Sequence, residues 1–226
     1  MSNKHGYVHS IDGLRAVAVI SVIIFHIKDS YLPGGFNGVD MFFAISGYVV
    51  TKSVYNVKIS KFIDFISFFY ARRLLRIAPA LVAMLLTTFV LSSMFVPQSW
   101  IGRNTVNTGF AAFFGLSNFV LYLNSDSYFS ASTHLNYFTH TWSLGVEEQF
   151  YLIFPVIIFW ANKISGNSAL TRYFLYVLSF LSISSLIICG ITNLRDHQHS
   201  FYMIDSRFWE LGFGMLLCLA AVKLSP

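Results

Sequence analysis

Residues 11–26 read IDGLRAVAVISVIIFH, an otherwise apolar run with Arg15 near its start and His26 near its far end. At about 100° and about 1.5 Å per residue, a helix through this run returns His26 to within about 20° of Arg15, roughly 16 Å further along the axis. Both side chains then share one face. A central Arg in a membrane helix costs about 2.5–3.5 kcal/mol on insertion scales, so such groups normally face protein or a water-filled cavity. The run therefore reads as a transmembrane helix with a polar stripe turned toward an intramembrane site. The plainer alternatives are that Arg15 snorkels to the headgroups and pairs with Asp12, three residues earlier, and that His26 is a hydrogen-bonded histidine at the opposite interface.

The rest of the chain has the same character. Of its 226 residues 55% are hydrophobic and 11% charged, and several apolar stretches are long enough to cross a hydrocarbon layer of roughly 30 Å. The expected fold class is an all-α, polytopic transmembrane bundle. An aromatic content of 18%, with 24 Phe, fits lipid-facing and interfacial positions. The formal charge of +5 does not signal nucleic acid. Its largest cluster, Lys52, Lys58, Lys61, Arg72, Arg73 and Arg76, lies between two apolar segments, where the positive-inside rule accounts for it. Cys189 and Cys218 sit in apolar runs and read as buried packing thiols. The first run is bounded by His26, Lys28 and Asp29 without a small-residue cleavage pattern, so it reads as a retained helix and not as a signal peptide.

Taken in order, residues 1–10 are polar and interfacial or disordered, and a first helix covers 11–27. Residues 28–38 hold Pro33, Gly34, Gly35 and Gly38, a tight turn allowing unusual backbone angles or close approach. A second helix, 39–55, opens with Asp40 and passes Ser46 and Gly47, which permit close helix packing. Residues 58–76 mix basic and Phe residues as an interfacial amphipathic helix would, and a third span covers 77–96. The stretch 105–123 is interrupted by Asn107, Gly109, Gly115 and Asn118, and the scarcity of Lys and Arg over 124–139 favours a non-spanning, re-entrant segment there. Spans at 141–161, 173–191 and 208–222 follow. That makes six clear spans and one doubtful segment, with the N-terminus cytoplasmic because the basic cluster follows the second helix.

Five stretches, IDGLRAVAV…FH, LPGGFNGVDMFFAISGY, RRLLRIAPAL, HTWSLGVEEQFYLIFP and RFWELGFG, occur in an order that closely resembles the successive motifs of acyltransferase family 3, the bacterial membrane-bound O-acyltransferases. The resemblance implies transfer of an acetyl or other short acyl group from acyl-CoA to a hydroxyl of lipopolysaccharide, peptidoglycan, exopolysaccharide or a smaller glycoside. It implies a bacterial cytoplasmic (inner) membrane location. It also implies a domain of about ten spans, of which residues 1–226 would be the N-terminal part. The wording GGFNGVDMFFAISGY is similar to the subgroup that carries a C-terminal extracytoplasmic SGNH-type domain.

Arg15 and His26 match the family's Arg-ten-residues-His signature, and the chemistry of the residues agrees with it. Attack of a hydroxyl on a thioester needs a base, and a histidine with an ordinary pKa of about 6.5 suits the task. His26 is the expected base, with a transient acyl-histidine as the covalent alternative. Arg15 then positions the donor or stabilises developing charge. Arg72, Arg73 and Arg76 form one basic face suited to the phosphates of coenzyme A, although topology alone also predicts cytoplasmic arginines.

Ser143, Glu147 and Tyr151 recur every four residues and share a helical face, while Glu148 falls on an adjacent one. A carboxylate inside an apolar segment points to a site, although Glu147 could simply hold helices together by pairing with an arginine such as Arg15. Asp40 reads as a helix N-terminal cap or a site residue, and Glu210 as an i+3 partner of Arg207. His134, His140, His197 and His199 lack a metal-binding spacing, and no GxSxG elbow is present. The expected partners are acyl-CoA, a carbohydrate acceptor and the bilayer, without a metal. A transporter or flippase using Arg15, His26, Asp40 and Glu147 as a pathway is the competing class. A continuous polar passage lined by these four residues, with its mouth at Arg73, is the structural expectation.

Overall fold

Lipid-facing helices need no polar outer face, because hydrocarbon tails are as apolar as leucine and helices associate instead through close packing and buried hydrogen bonds. The chain's architecture follows from that. A computed structural model describes residues 9–54, 57, 61–124, 136–164 and 168–224. The expectations for residues 1–8, for Lys58, and for His134 with most of the 124–139 loop lie outside the described residues. Among those described there are nine α-helices and no strand. They are α1 (His9–Ile27), α2 (Gly38–Val54), α3 (Phe62–Phe95), α4 (Arg103–Phe113), α5 (Ser117–Leu123), α6 (Trp142–Ile164), α7 (Ser168–Arg195), α8 (His197–Tyr202) and α9 (Ile204–Leu224).

Four stretches are long and apolar enough to cross a membrane, namely α1, α3, Thr141–Trp160 and Arg172–Arg195. The chain is a multi-pass membrane protein. Of the six expected spans, α2 and α9 do not meet that measure, for a structural reason. They lie inside the bundle, where α2 has only 17 residues and α9 begins with Asp205, Arg207 and Glu210. By contrast, α1 buries only Ala18, and α3 only Phe65 and Phe69. Around the inner pair, Phe43, Trp142, Phe150, Phe154, Leu211 and Met215 form the apolar core.

Glycines set the closest approaches. A Cβ on Gly47 would strike the Leu211 carbonyl, and one on Gly214 the Ala44 carbonyl, so α2 and α9 run antiparallel with their backbones in contact. In the same way Gly35 and Gly38 meet the Ser21 and Ala18 carbonyls of α1. Gly35 and Gly38 serve close approach and not unusual backbone angles, since among the described glycines positive φ occurs only at Gly115. Gly47→Ala and Gly214→Ala are each expected to cost about 1–3 kcal/mol through overpacking. At Gly190, where a Cβ meets nothing within 4 Å, the same change is expected to be neutral or stabilising. Thermal unfolding in detergent distinguishes them. Equal Tm values for all three variants would count against backbone contact between α2 and α9.

Two expectations about segments are resolved. Residues 58–76 and 77–96 do not form separate helices. One 34-residue helix, α3, runs through both. At about 1.5 Å per residue it is about 51 Å long, so its basic, Phe-rich start extends beyond a hydrocarbon layer of roughly 30 Å. No helix breaker lies between Lys61 and Pro79, and Pro79 itself is accommodated inside the helix. The stretch 105–123 does not span. It is split into α4 and α5, of 11 and 7 residues, by a turn in which Gly115 has φ of 68°. The Gln149 amide donates to the Gly115 carbonyl and to Asn118 Oδ1, and Asn118 donates to the Tyr202 carbonyl, so the broken backbone is satisfied inside protein. Tyr122 of α5 donates to Asp196, whose carboxyl is held below its usual range chiefly by the His199 backbone N–H.

Candidate active site

The four-residue period on α6 places Ser143, Glu147 and Tyr151 along one wall of a cavity of about 380 Å³. Arg15 of α1 and Arg73 and Arg76 of α3 line the same cavity. Glu147 is only 6% exposed. Its Oε2 accepts from the Tyr151 hydroxyl at 3.4 Å, and the Ser46 side chain approaches the same carboxyl group from α2. Arg73 lies 5.3 Å from the Tyr151 ring centroid and donates to Ser53 Oγ at 3.4 Å. Arg15 keeps its expected neighbour Asp12 at 4.0 Å, yet its Nε is buried without a partner. Three guanidinium groups therefore face one carboxylate, a local excess of positive charge. Arg72 stands apart from them, exposed and stacked over Phe68 at 5.3 Å, and it lines none of the cavities described here.

His26 and Asp40 occupy a different cavity, of about 340 Å³, with Arg207 and Glu210. The single passage expected through Arg15, His26, Asp40 and Glu147 is thus divided in two. Ala18 and Val22, on α1 between Arg15 and His26, are covered by the start of α2 at Gly38, which closes the stripe. The two cavities share no lining residue; along α6 they are lined by consecutive residues, Trp142 on one and Ser143 on the other.

The His26 Nδ1 lies 2.8 Å from the Val22 carbonyl. A carbonyl only accepts, so Nδ1 carries the hydrogen and Nε2 is left as the basic nitrogen. The ring meets His140 edge-on, with centroids 4.6 Å apart. Asp40, the third residue of α2, is not its cap. Its Oδ1 accepts from Arg207 Nη1 at 2.7 Å, and the same nitrogen donates to Glu210 Oε1 at 2.7 Å, the expected i+3 pair. The Arg207 guanidinium also lies over Phe201 at 5.0 Å and Trp142 at 5.6 Å. Ser46, expected only to ease packing, lines the Glu147 cavity. Cys189 is half-buried at the His26 cavity, and Cys218 is fully buried.

Sequence reasoning missed three participants. The sequence presents His140 only as a candidate metal ligand, although it lies two residues before Trp142 in the HTWSLG stretch. It presents Arg207 as a local partner of Glu210, although the same side chain also joins α9 to α2. Tyr70 gave no signal. Its hydroxyl donates to the Tyr151 carbonyl at 3.1 Å, and it lines a third cavity, of about 350 Å³, that shares Arg73 and Tyr151 with the first. Glu148, on the adjacent face of α6, belongs to that third cavity.

A family model described as an acyltransferase domain matches residues 8–226. Peptidoglycan O-acetyltransferase OatA of Listeria monocytogenes is 35% identical over 211 residues, covering 93% of this chain and 33% of its own length. O-acetyltransferase OatA of Staphylococcus aureus is 33% identical over 217 residues, covering 93% of this chain and 34% of its own. A putative O-acetyltransferase of S. aureus strain COL is 31% identical over 214 residues, covering 95% and 35%. The chain spans about a third of the length of the curated relatives it matches. No solved structure was found to match it. With the family model spanning nearly all of its residues, the chain belongs to the acyltransferase 3 family.

Proposed function

We propose that this chain acts in a membrane O-acyltransferase that takes an acyl group, acetyl in the first instance, from acyl-CoA and passes it to a hydroxyl of a cell-envelope carbohydrate. Residues 1–226 work as one domain in this reading. The observation that carries it is a pair of cavities lined by consecutive residues of α6, one rich in guanidinium groups and the other holding His26. Arg73 and Arg76, with Arg15 beside them, suit the phosphates of the donor, since guanidinium binds phosphate through paired charge-assisted hydrogen bonds. Glu147 limits the repulsion among the three arginines and holds them in place. The distance along α1 from Arg15 to His26 favours donor positioning as the role of Arg15.

From the arginines, the acyl end of the donor runs along Tyr151, Glu147 and Ser143 toward the first turn of α6, where His140 meets His26. There His26 Nε2 takes the proton from the acceptor hydroxyl as its oxygen attacks the thioester carbonyl. The C–S bond breaks, and the leaving thiolate recovers the proton from the imidazolium. The N-terminus and the arginines face the cytoplasm, the source of acyl-CoA, in the membrane of a bacterium. Peptidoglycan heads the acceptor classes, because one relative's name specifies it.

Incubating acetyl-labelled acetyl-CoA with membranes carrying the full-length protein tests the reading. Label in ester linkage to carbohydrate, with free coenzyme A released in step, is the expected result. Movement of a solute across the membrane without use of acetyl-CoA would replace this reading with the transport one.

A further inference from the structure

The third cavity, between α3, α6 and the turn joining α4 to α5, holds a carboxyl group that the reaction just described does not use. It shares Arg73, Ile77, Leu81 and Tyr151 with the arginine cavity, so the two meet along those four side chains. The loose packing of α3 leaves this space open, since the buried residues of that helix, Phe65 and Phe69, both precede Arg73. Glu148 enters from α6 and lies against Gly115, where a Cβ would stand 3.2 Å from its Oε2. The side chain is half-buried and makes no hydrogen bond or ion pair among the described residues. Both of its oxygens keep accessible surface. The neighbouring donors are already committed, the Tyr70 hydroxyl to the Tyr151 carbonyl and the Gln149 amide to Gly115 and Asn118.

An open carboxyl group accepts from an amine in either protonation state, and when protonated it also donates to a ring nitrogen beside that amine. Around Glu148 the wall is apolar and aromatic, with Leu74, Ile77, Phe113 and Phe114, and the last two rings meet edge-on at 5.2 Å. At the other end stands Arg73, 5.3 Å from the Tyr151 ring, and Tyr151 follows Glu148 by three residues, about 4.5 Å of helical rise. A ligand matching this cavity carries a flat ring with an exocyclic amine at one end and negative charge at the other. The adenosine and phosphates of a nucleotide donor have that form. A phospholipid with an ammonium headgroup carries the two charges but has no ring to lay against Phe113 and Phe114.

We propose that this cavity is the base subsite of the acyl donor. The adenine ring lies against Phe113 and Phe114, its exocyclic amine donates to Glu148, and the phosphates turn past Arg73 into the arginine cavity. The acyl end then continues along Tyr151, Glu147 and Ser143. Glu148 thereby distinguishes acyl-CoA from the same acyl group on a phosphopantetheine that carries no purine. The assignment rests on the reading of acyl-CoA as the donor.

Calorimetric titration of the full-length protein in detergent tests it with three probes. These are acetyl-CoA, an analogue with purine in place of adenine, which lacks only the exocyclic amine, and acetyl-phosphopantetheine. Wild type is expected to bind acetyl-CoA at least fivefold more tightly than the purine analogue, the loss that follows when a hydrogen bond to a polar protein group is removed. Glu148→Leu is expected to weaken acetyl-CoA binding at least fivefold and to bring the two nucleotides within twofold of each other. Its affinity for acetyl-phosphopantetheine is expected to stay within twofold of wild type, which also shows that the variant is folded. Glu148→Gln keeps an acceptor for the amine and a donor for the ring nitrogen, and is expected to bind acetyl-CoA within threefold of wild type. Equal binding of the two nucleotides by wild type, or undiminished discrimination in Glu148→Leu, would overturn the assignment. Wild-type binding of acetyl-CoA without that discrimination removes the subsite and leaves the acyl-transfer reading intact. Failure of wild type to bind any of the three removes both.

Discussion

His26→Ala is expected to lower acyl transfer by about 10²–10⁴-fold, the usual loss when a positioned general base is removed. Insertion and stability are expected to stay close to wild type. His26 is exposed, and its hydrogen bond at Nδ1 goes to the Val22 carbonyl of its own helix, so the substitution leaves no buried cavity. Single-turnover transfer from labelled acetyl-CoA, alongside thermal unfolding, separates chemistry from folding. His26→Gln keeps a polar group of similar reach without a basic nitrogen and is expected to be as inactive. Transfer within threefold of wild type in either variant would remove His26 as the base.

The second large effect concerns the donor. Hydrogen bonds to charged groups contribute about 1.5–3 kcal/mol each, so losing one guanidinium–phosphate contact weakens binding by roughly 10–100-fold. Arg73→Gln and Arg76→Gln together are expected to raise the KM for acyl-CoA by at least tenfold while leaving the acceptor KM within threefold. Arg72→Gln serves as the comparison. That side chain turns outward over Phe68, and its replacement is expected to change the donor KM by less than threefold. A donor KM unmoved by the double substitution would leave these arginines with only a topological role.

Much of this was legible in the sequence, because a membrane helix announces itself by length and apolarity. The four-residue period of Ser143, Glu147 and Tyr151 is a local property of one helix, and their common cavity follows from it. The break in 105–123 was readable from Gly115, whose φ of 68° few other residues adopt. What failed was what depends on a second helix. Arg15 and His26 share a face of α1, yet the start of α2 closes over Ala18 between them, and no periodicity within α1 carries that information. Asp40 and Arg207 are 167 residues apart and meet only because Gly47 and Gly214 let α2 and α9 touch. The continuity of α3 was obscured by composition, since its basic start and apolar remainder look like two elements.

The claim that donor binding and proton transfer occupy two cavities is tested most directly by the equilibrium binding of acetyl-CoA to three full-length proteins. These are the wild type, His26→Ala and the Arg73→Gln, Arg76→Gln double variant. The two-cavity arrangement predicts that His26→Ala binds acetyl-CoA within twofold of the wild-type Kd while failing to transfer its acetyl group, and that the double variant binds at least tenfold more weakly. Loss of binding in His26→Ala, or undiminished binding in the double variant, would contradict it.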